Sequence, residues 1–194
     1  MKVAFVVLLC FSLMMLLCTV ILLWENCRLR KRSHLAKKAS EWHELAFTDA
    51  LTGLQNRTAY NKKIIELSRK KSKNLFGILL FDVDNFKSVN DTEGHLAGDK
   101  VLQRVAQRLR SVFVSPDYEI YRFGGDEFAV ICENADEDEI ILLLLELRKF
   151  EKNDIRLSKG YAVVAGDVKK AFMDADTMLY ADKASKKNDS AQVC

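Results

Sequence analysis

The sequence predicts an α/β sandwich built on a central mixed sheet and preceded by one transmembrane helix. Three observations lead there. Residues 3–24 are apolar and uncharged, with only Ser12 and Thr19 polar. Beyond residue 46, stretches of helical period alternate with short β-branched and aromatic runs, in the order α-β-α-β-β-α-β-α. A Gly-Gly pair separates two of those runs closely enough for an antiparallel hairpin, so the sheet is not purely parallel. The chain thus divides into an anchor over 1–24, a juxtamembrane connecting helix over 25–46 and an α/β domain over 47–194.

Charge follows the same division. The chain holds 30 Lys and Arg against 27 Asp and Glu, a net of +3. Residues 25–46 carry a net of +3 (Arg28, Arg30, Lys31, Arg32, Lys37 and Lys38 against Glu25, Glu41 and Glu44), whereas residues 47–194 carry −1. A basic collar straight after an apolar span is a topological signal rather than a nucleic-acid interface. The positive-inside rule places it, and all that follows, in the cytoplasm. As a helix, residues 3–24 would extend about 33 Å against a hydrocarbon core of roughly 30 Å. A cleaved signal peptide has a shorter apolar core and a small-residue cleavage site, and the sequence has neither. Cys10, Cys18, Cys27, Cys132 and Cys194 form no C-x-x-C pair, which excludes a disulfide or zinc framework. One proline and 8 glycines exclude collagen-like and low-complexity chains.

The elements follow in order. Residues 25–46 lack Gly and Pro, and Leu35, Ala39, Trp42 and Ala46 form a short a/d stripe. Two roles fit it: a dimerising helix, or an amphipathic helix packing on its own domain. Residues 49–57 are turn-rich, with Asp49 and Arg57 placed to form an ion pair that fixes the turn. Residues 58–71 have helical composition, with Ile64, Ile65 and Leu67 apolar. Leu75 to Phe81 is an unbroken apolar run, as in a central strand covered on both faces. It ends in Asp82-Val83-Asp84. Residues 98–113 return to helical period through Val101, Leu102, Val105, Leu109, Val112 and Phe113. Glu119–Phe123 and Glu127–Cys132 read as short strands around Gly124-Gly125, a turn in which both glycines would take φ > 0. A very apolar helix over 136–150, a strand over 155–165 and a helix N-capped by Asp167 complete the domain.

Two acidic clusters carry the candidate chemistry: Asp82 with Asp84, and Asp126 with Glu127. On neighbouring strands, about 4.8 Å apart, these carboxylates would meet at one edge of the sheet. Carboxylates gathered there suit Mg²⁺, which takes oxygen ligands and brings phosphates with it. A pair of such ions can clamp the attacking and leaving oxygens of a phosphoryl transfer. Taken singly, each acid also reads as a solvated turn residue or a helix cap.

The chain resembles the GGDEF domains, the diguanylate cyclases. Gly124-Gly125-Asp126-Glu127-Phe128 spells the family's signature. Asp49-x-Leu51-Thr52-Gly53-Leu54-x-Asn56-Arg57 is similar to its entry motif, and Asp82-Val83-Asp84-x-Phe86-Lys87-x-x-Asn90-Asp91-x-x-Gly94-His95-x-x-Gly98-Asp99 to its substrate motif. Ser158-x-Gly160-x-Ala162 and Ala175-Asp176-x-x-Leu179-Tyr180-x-x-Lys183 are similar to its last strand and helix. The resemblance runs from about residue 46 to 188.

It implies a fold like nucleotidyl cyclases and polymerase palm domains, and condensation of two GTP into cyclic di-GMP with release of two pyrophosphates. It implies a homodimer with one GTP per subunit, at a bacterial inner membrane, serving cyclic di-GMP effectors downstream. It implies two Mg²⁺ or Mn²⁺ ions per site, with Asp82, the Val83 carbonyl, Asp126 and Glu127 as metal ligands. Glu127 would assist the metal or deprotonate the 3′-hydroxyl. Asn90 and Asp99 match the positions that read guanine, and an Asp there would accept from guanine N1–H and N2–H₂, a donor pair adenine lacks. Lys183 matches a position contacting the phosphates; Lys187, one helical turn away on the same face, could join it in neutralising phosphate charge, and His95 could contact a phosphate. The bland alternatives are a helix N-cap for Asp99, a turn residue for Asn90, a loop histidine for His95, and helix-end lysines complementing the dipole for Lys183 and Lys187.

The chain departs from the family in three places. The window for an R-x-x-D product site reads Ser115-Pro116-Asp117-Tyr118, so product inhibition through it is not expected, and Arg122 lies at the wrong spacing to replace it. The final helix, A-K-x-x-G-R-N in many members, reads Asp182-Lys183-Ala184-Ser185-Lys186-Lys187-Asn188, so lysine at 187 keeps the charge but loses the bidentate fork. The stretch between Cys132 and Ala175 is shorter than usual. Beside the cyclase stands a second function class, a catalytically silent GGDEF domain acting as a GTP-binding or protein-interaction module.

Overall fold

The computed structural model describes residues 2–69, 74–150 and 155–191; side chains of 2–12, 32–37, 39–41, 43–44, 150 and 188–191 lie outside that description. Contacts divide the chain into two units, Met1–Leu45 and Ala46–Cys194. The first is built of α1 (Lys2–Phe47), a helix that no Gly or Pro interrupts. Within it the Arg28 guanidinium lies 5.4 Å from the Trp24 ring centroid, a cation–π contact. Among the described residues no helix is long and apolar enough to cross a membrane. The expected span over 3–24 falls partly on residues 3–12, whose side chains lie outside the description. Of the expected a/d stripe, Trp42 and Ala46 are exposed, and Leu35 and Ala39 lie outside the described side chains.

The second unit contains β1 (Gln55–Asn56), α2 (Arg57–Arg69), β2 (Leu75–Val83), α3 (Phe86–Glu93), α4 (His95–Val112), β3 (Tyr118–Arg122), β4 (Glu127–Glu133), α5 (Glu137–Phe150), β5 (Leu157–Ala165) and α6 (Val168–Ala191). The five strands form one mixed sheet in the order β1-β3-β4-β2-β5. β2 is an interior strand, next to the β4 centre of the sheet and antiparallel to both neighbours, while β1 runs parallel to β3. The apolar run of β2 is continuous because both its faces are covered. Leu79, Phe81 and Val83 pack with Phe128, Val130 and Cys132 under Leu102, Val105 and Leu109 of α4 and Ile140 and Leu147 of α5. Phe76, Ile78 and Leu80 pack with Tyr121, Ala129 and Ile131 under Tyr60 and Leu67 of α2 and Ala171, Ala175 and Leu179 of α6. The mixed α/β sandwich expected from the sequence is therefore the observed architecture.

Four expectations change. β1 and α3 are additional elements, too short and polar to show an apolar period. α4 begins at His95 after Gly94, so Asp99 lies inside the helix and is not its N-cap. Neither Gly124 nor Gly125 adopts a positive φ; those that do are Gly53, Gly94 and Gly166. Asp49 does not pair with Arg57 but with Arg122 of β3, at 3.0 Å. The Asp167 cap is present: its Oδ1 accepts from the Lys170 amide at 2.9 Å.

Candidate active site

The antiparallel register of β2 with β4 sets Asp82 opposite Glu127, and that of β2 with β5 sets Asp82 opposite Ser158. Just beyond, the Val83 amide donates to the Asp126 carbonyl at 3.2 Å. Both acidic clusters thus lie at one end of the sheet. Burial pushes the Asp82 carboxyl above its usual value; Lys183 opposes this, and Asp126 and Asp84 add to it. Lys183 reaches across from α6 to Asp82 Oδ2 at 2.6 Å. Three residues on, Lys186 binds Asp84 Oδ2 at 3.1 Å and the Leu157 carbonyl at 2.8 Å, and Asp182 at 3.0 Å. The fully buried Ser158 hydroxyl donates to Asp84 Oδ1 at 2.5 Å. Asp84 was singled out from the sequence with Asp82 but given no ligand role, whereas Ser158 and Lys186 were assigned no role in the site. The available signal for Ser158 was a hydroxyl at a fully buried strand position.

These side chains line a cavity of about 310 Å³, bounded by Asp82, Asp84, Asn85, Arg156, Lys183, Lys186 and Lys187. Four cations and two carboxylates make it suited to a polyanion carried with a metal. Lys187 is exposed at its rim.

The signature loop is held from two sides. Phe123 and Gly124 amides donate to the Glu127 carbonyl at 3.1 and 3.4 Å. A Cβ at Gly124 would lie 2.1 Å from Glu127 Oε2, so glycine is required there for space, because the Glu127 carboxylate folds back over it. Arg122 grips the loop from below. Its Nε and Nη2 donate to the Gly125 carbonyl at 3.2 and 2.7 Å, and its Nη1 donates to both Asp49 oxygens at 3.0 and 3.1 Å. Asp49 also accepts from the Thr52 amide and hydroxyl. Burial works against its charge, but Thr52 and Arg122 hold the carboxyl below its ordinary range.

Asn90 lies in α3 and His95 and Asp99 in the first turns of α4, and the two helices pack together. Gly98 permits this: a Cβ there would lie 2.0 Å from Asn90 Oδ1. The residues expected to read guanine thus belong to one helix pair, with His95 exposed at its start.

Asp82, Asp126 and Glu127 share a sheet end, yet among the described residues no three of His, Cys, Asp or Glu converge into a metal cage. Two contacts explain this: Lys183 occupies Asp82, and Glu127 is turned onto Gly124. The donor chemistry still fits a hard cation, since a half-buried carboxylate with two acidic neighbours already recruits a positive group.

Comparisons with known proteins agree with this geometry. The family described as "Diguanylate cyclase, GGDEF domain" matches residues 46–189. The probable diguanylate cyclase DgcI of Escherichia coli is 38% identical over 161 residues, covering 81% of this chain and 35% of that protein. An uncharacterized membrane protein of Staphylococcus aureus is 34% identical, covering 72% of this chain and 44% of that protein. The chain thus spans less than half the length of these relatives. The coiled coil and GGDEF domain of DgcB from Caulobacter crescentus, solved in complex with c-di-GMP, superimposes with a TM-score of 0.74 at 26% identity, covering 80% of this chain and 90% of that one. Motifs, sheet topology and family match together place this chain in the GGDEF family of diguanylate cyclase domains.

Proposed function

We propose that the protein condenses two GTP into cyclic di-GMP and two pyrophosphates, working as a homodimer with one GTP per subunit. The observation that carries the reading is that Asp82, Asp126 and Glu127 share one sheet end beside a cavity lined by four cations. DgcI and the DgcB complex with c-di-GMP support it.

In this reading Asn90 and Asp99 hold guanine, with Asp99 accepting from N1–H and N2–H₂. Lys183 and Lys187 neutralise the phosphates, with His95 at their side. Asp82, the Val83 carbonyl, Asp126 and Glu127 would hold two Mg²⁺ or Mn²⁺ ions. Such ions supply charge neutralisation at the α-phosphate and a lowered pKa for the 3′-hydroxyl. Glu127 takes the 3′-hydroxyl proton as that oxygen attacks the α-phosphorus of the GTP on the other subunit. Lys183 leaves Asp82 for the phosphates as substrate enters, so one lysine serves the empty and the loaded site in turn. Residues 3–24 anchor the chain once through a bacterial inner membrane with the domain in the cytoplasm, and cyclic di-GMP effectors act downstream. The uncharged apolar composition of 3–24 supports the anchor.

A second reading, a silent GTP-binding or protein-interaction module, is favoured by one observation: Lys183 and Gly124 keep the three carboxylates apart. Incubation of the 194-residue chain with GTP and Mg²⁺, followed by nucleotide chromatography, separates the two. Cyclic di-GMP is the expected product, and Asp126→Ala is expected to abolish it. GTP bound but unconverted at high protein concentration would establish the silent module instead.

A further inference from the structure

The four cations around the cavity are not equivalent. Lys183 is paired with Asp82, and Lys186 with Asp84 and Asp182. Neither Lys187 nor Arg156 makes a side-chain hydrogen bond or ion pair among the described residues. Arg156 is exposed, yet its backbone is fixed. Its carbonyl accepts from the Asp84 amide at 3.0 Å, and Arg108 of α4 donates to the preceding carbonyl, that of the buried Ile155, at 3.3 Å. The residue is thus anchored directly beside the Asp82-Val83-Asp84 strand end, lining the same cavity as Lys183, Lys186 and Lys187 of α6.

On α6 itself, three positions depart from the A-K-x-x-G-R-N pattern: Asp182 stands at its alanine, Lys186 at its glycine and Lys187 at its arginine. Lys186 is consumed by Asp84. Lys187 offers a point charge rather than a fork. A planar guanidinium binds phosphate oxygens through two parallel N–H donors, which an ammonium does not reproduce.

We propose that Arg156 is a substrate-binding residue that supplies from the β5 wall of the cavity the bidentate polyphosphate contact that the α6 sequence lacks. The proposal rests on the reading of this cavity as a nucleotide polyphosphate site. It assigns Lys183 and Lys186 to the carboxylates of the empty site, and Arg156 with Lys187 to first capture of the anion.

The test measures GTP and GMP binding by the 194-residue chain with Mg²⁺, by calorimetry, and cyclic di-GMP formation on the same samples. Arg156→Ala is expected to weaken GTP roughly tenfold or more, the loss of a charge-assisted contact, and to leave GMP unchanged. The unfolding midpoint should hold, because the side chain is exposed. Arg156→Lys should recover only part of the affinity. Adding Lys187→Arg to Arg156→Ala should restore most of it, because the fork then returns to the same cavity from α6. GTP affinity indifferent to Arg156, equal losses for GTP and GMP, or no rescue by Lys187→Arg would each overturn the proposal. Cyclic di-GMP formed equally by the wild type and by Arg156→Ala, with unchanged GTP affinity, would overturn this proposal and leave the cyclase reading intact. Arg156-dependent GTP binding without any cyclic di-GMP would leave this proposal standing and remove the cyclase reading.

Discussion

Asp49 and Arg122 show how a residue far from the chemistry can set it. Arg122 joins the entry turn to the Gly125 carbonyl, so the loop carrying Asp126 and Glu127 is tied to the turn carrying Asp49. Replacing Arg122 by Lys keeps the charge, but one ammonium cannot serve both partners. A loss of about 2 kcal/mol in unfolding free energy is expected from the broken charge-assisted contacts, together with reduced cyclic di-GMP formation. Denaturant titration beside a turnover assay checks it, and unchanged values in both would refute the coupling. The pH dependence has a definite sign. The folded Asp49 pKa lies below its ordinary 3.8. Its contribution is therefore fully present above that value and disappears as pH falls through the lowered folded one. The stability gap between wild type and Asp49→Asn should close in that acidic window and stay constant above it. The opposed carboxylates of Asp82 and Glu127 were legible in the sequence, because each ends a recognisable strand and the signature fixes their register. The Arg122 contact was not. Its partner lies 73 positions away, and the loop atom it holds is a backbone carbonyl that carries no side-chain signature.

At the scale of elements, the tightest fit is between β5 and α6. A Cβ at Gly160 would lie 2.0 Å from the Ala175 carbonyl and 2.3 Å from the Leu179 amide. Both are helix backbone, which cannot yield locally, so Gly160→Ala must push α6 away from the sheet. A cost of about 3 kcal/mol is expected from that overpacking, and GTP affinity should fall with it because α6 carries Lys183 and Lys187. Gly77→Ala is the control: its Cβ would lie 3.0 Å from Ile140 Cδ1, the mobile end of a side chain. It should cost less and leave GTP binding intact. Thermal unfolding with a nucleotide titration distinguishes them, and equal effects from the two variants would contradict the rigid β5–α6 contact. The same scale shows why some elements were readable and others not. The long elements with buried residues were read from the sequence, since burial writes a period into it. α3 has no fully buried residue and β1 has two residues, so neither writes one. The hairpin was foreseen for the wrong reason: Gly124 serves the Glu127 side chain rather than a left-handed turn.

For the whole molecule, the decisive point is that the described residues hold Asp82 opposite Glu127 beside a cation-lined cavity. A cyclic dinucleotide has two phosphodiester bonds, each made when a 3′-hydroxyl held by one site meets an α-phosphorus held by another. In the proposed reaction one site would activate one hydroxyl, so the chain would need a second copy, related by a closed two-fold arrangement. Mixing separates this from a chain that acts alone. If wild-type and Asp126→Ala chains exchange freely at equal amounts, only wild-type pairs close the ring, so cyclic di-GMP formation should fall to roughly a quarter rather than half. Mixed pairs retain one functional 3′-hydroxyl activation. They can form one phosphodiester and release one pyrophosphate, leaving the linear dinucleotide with its 5′-triphosphate. That species should accumulate in the mixture and be absent from either pure sample after full conversion. Output proportional to the wild-type fraction, with no linear dinucleotide, would show that a single chain completes both bonds.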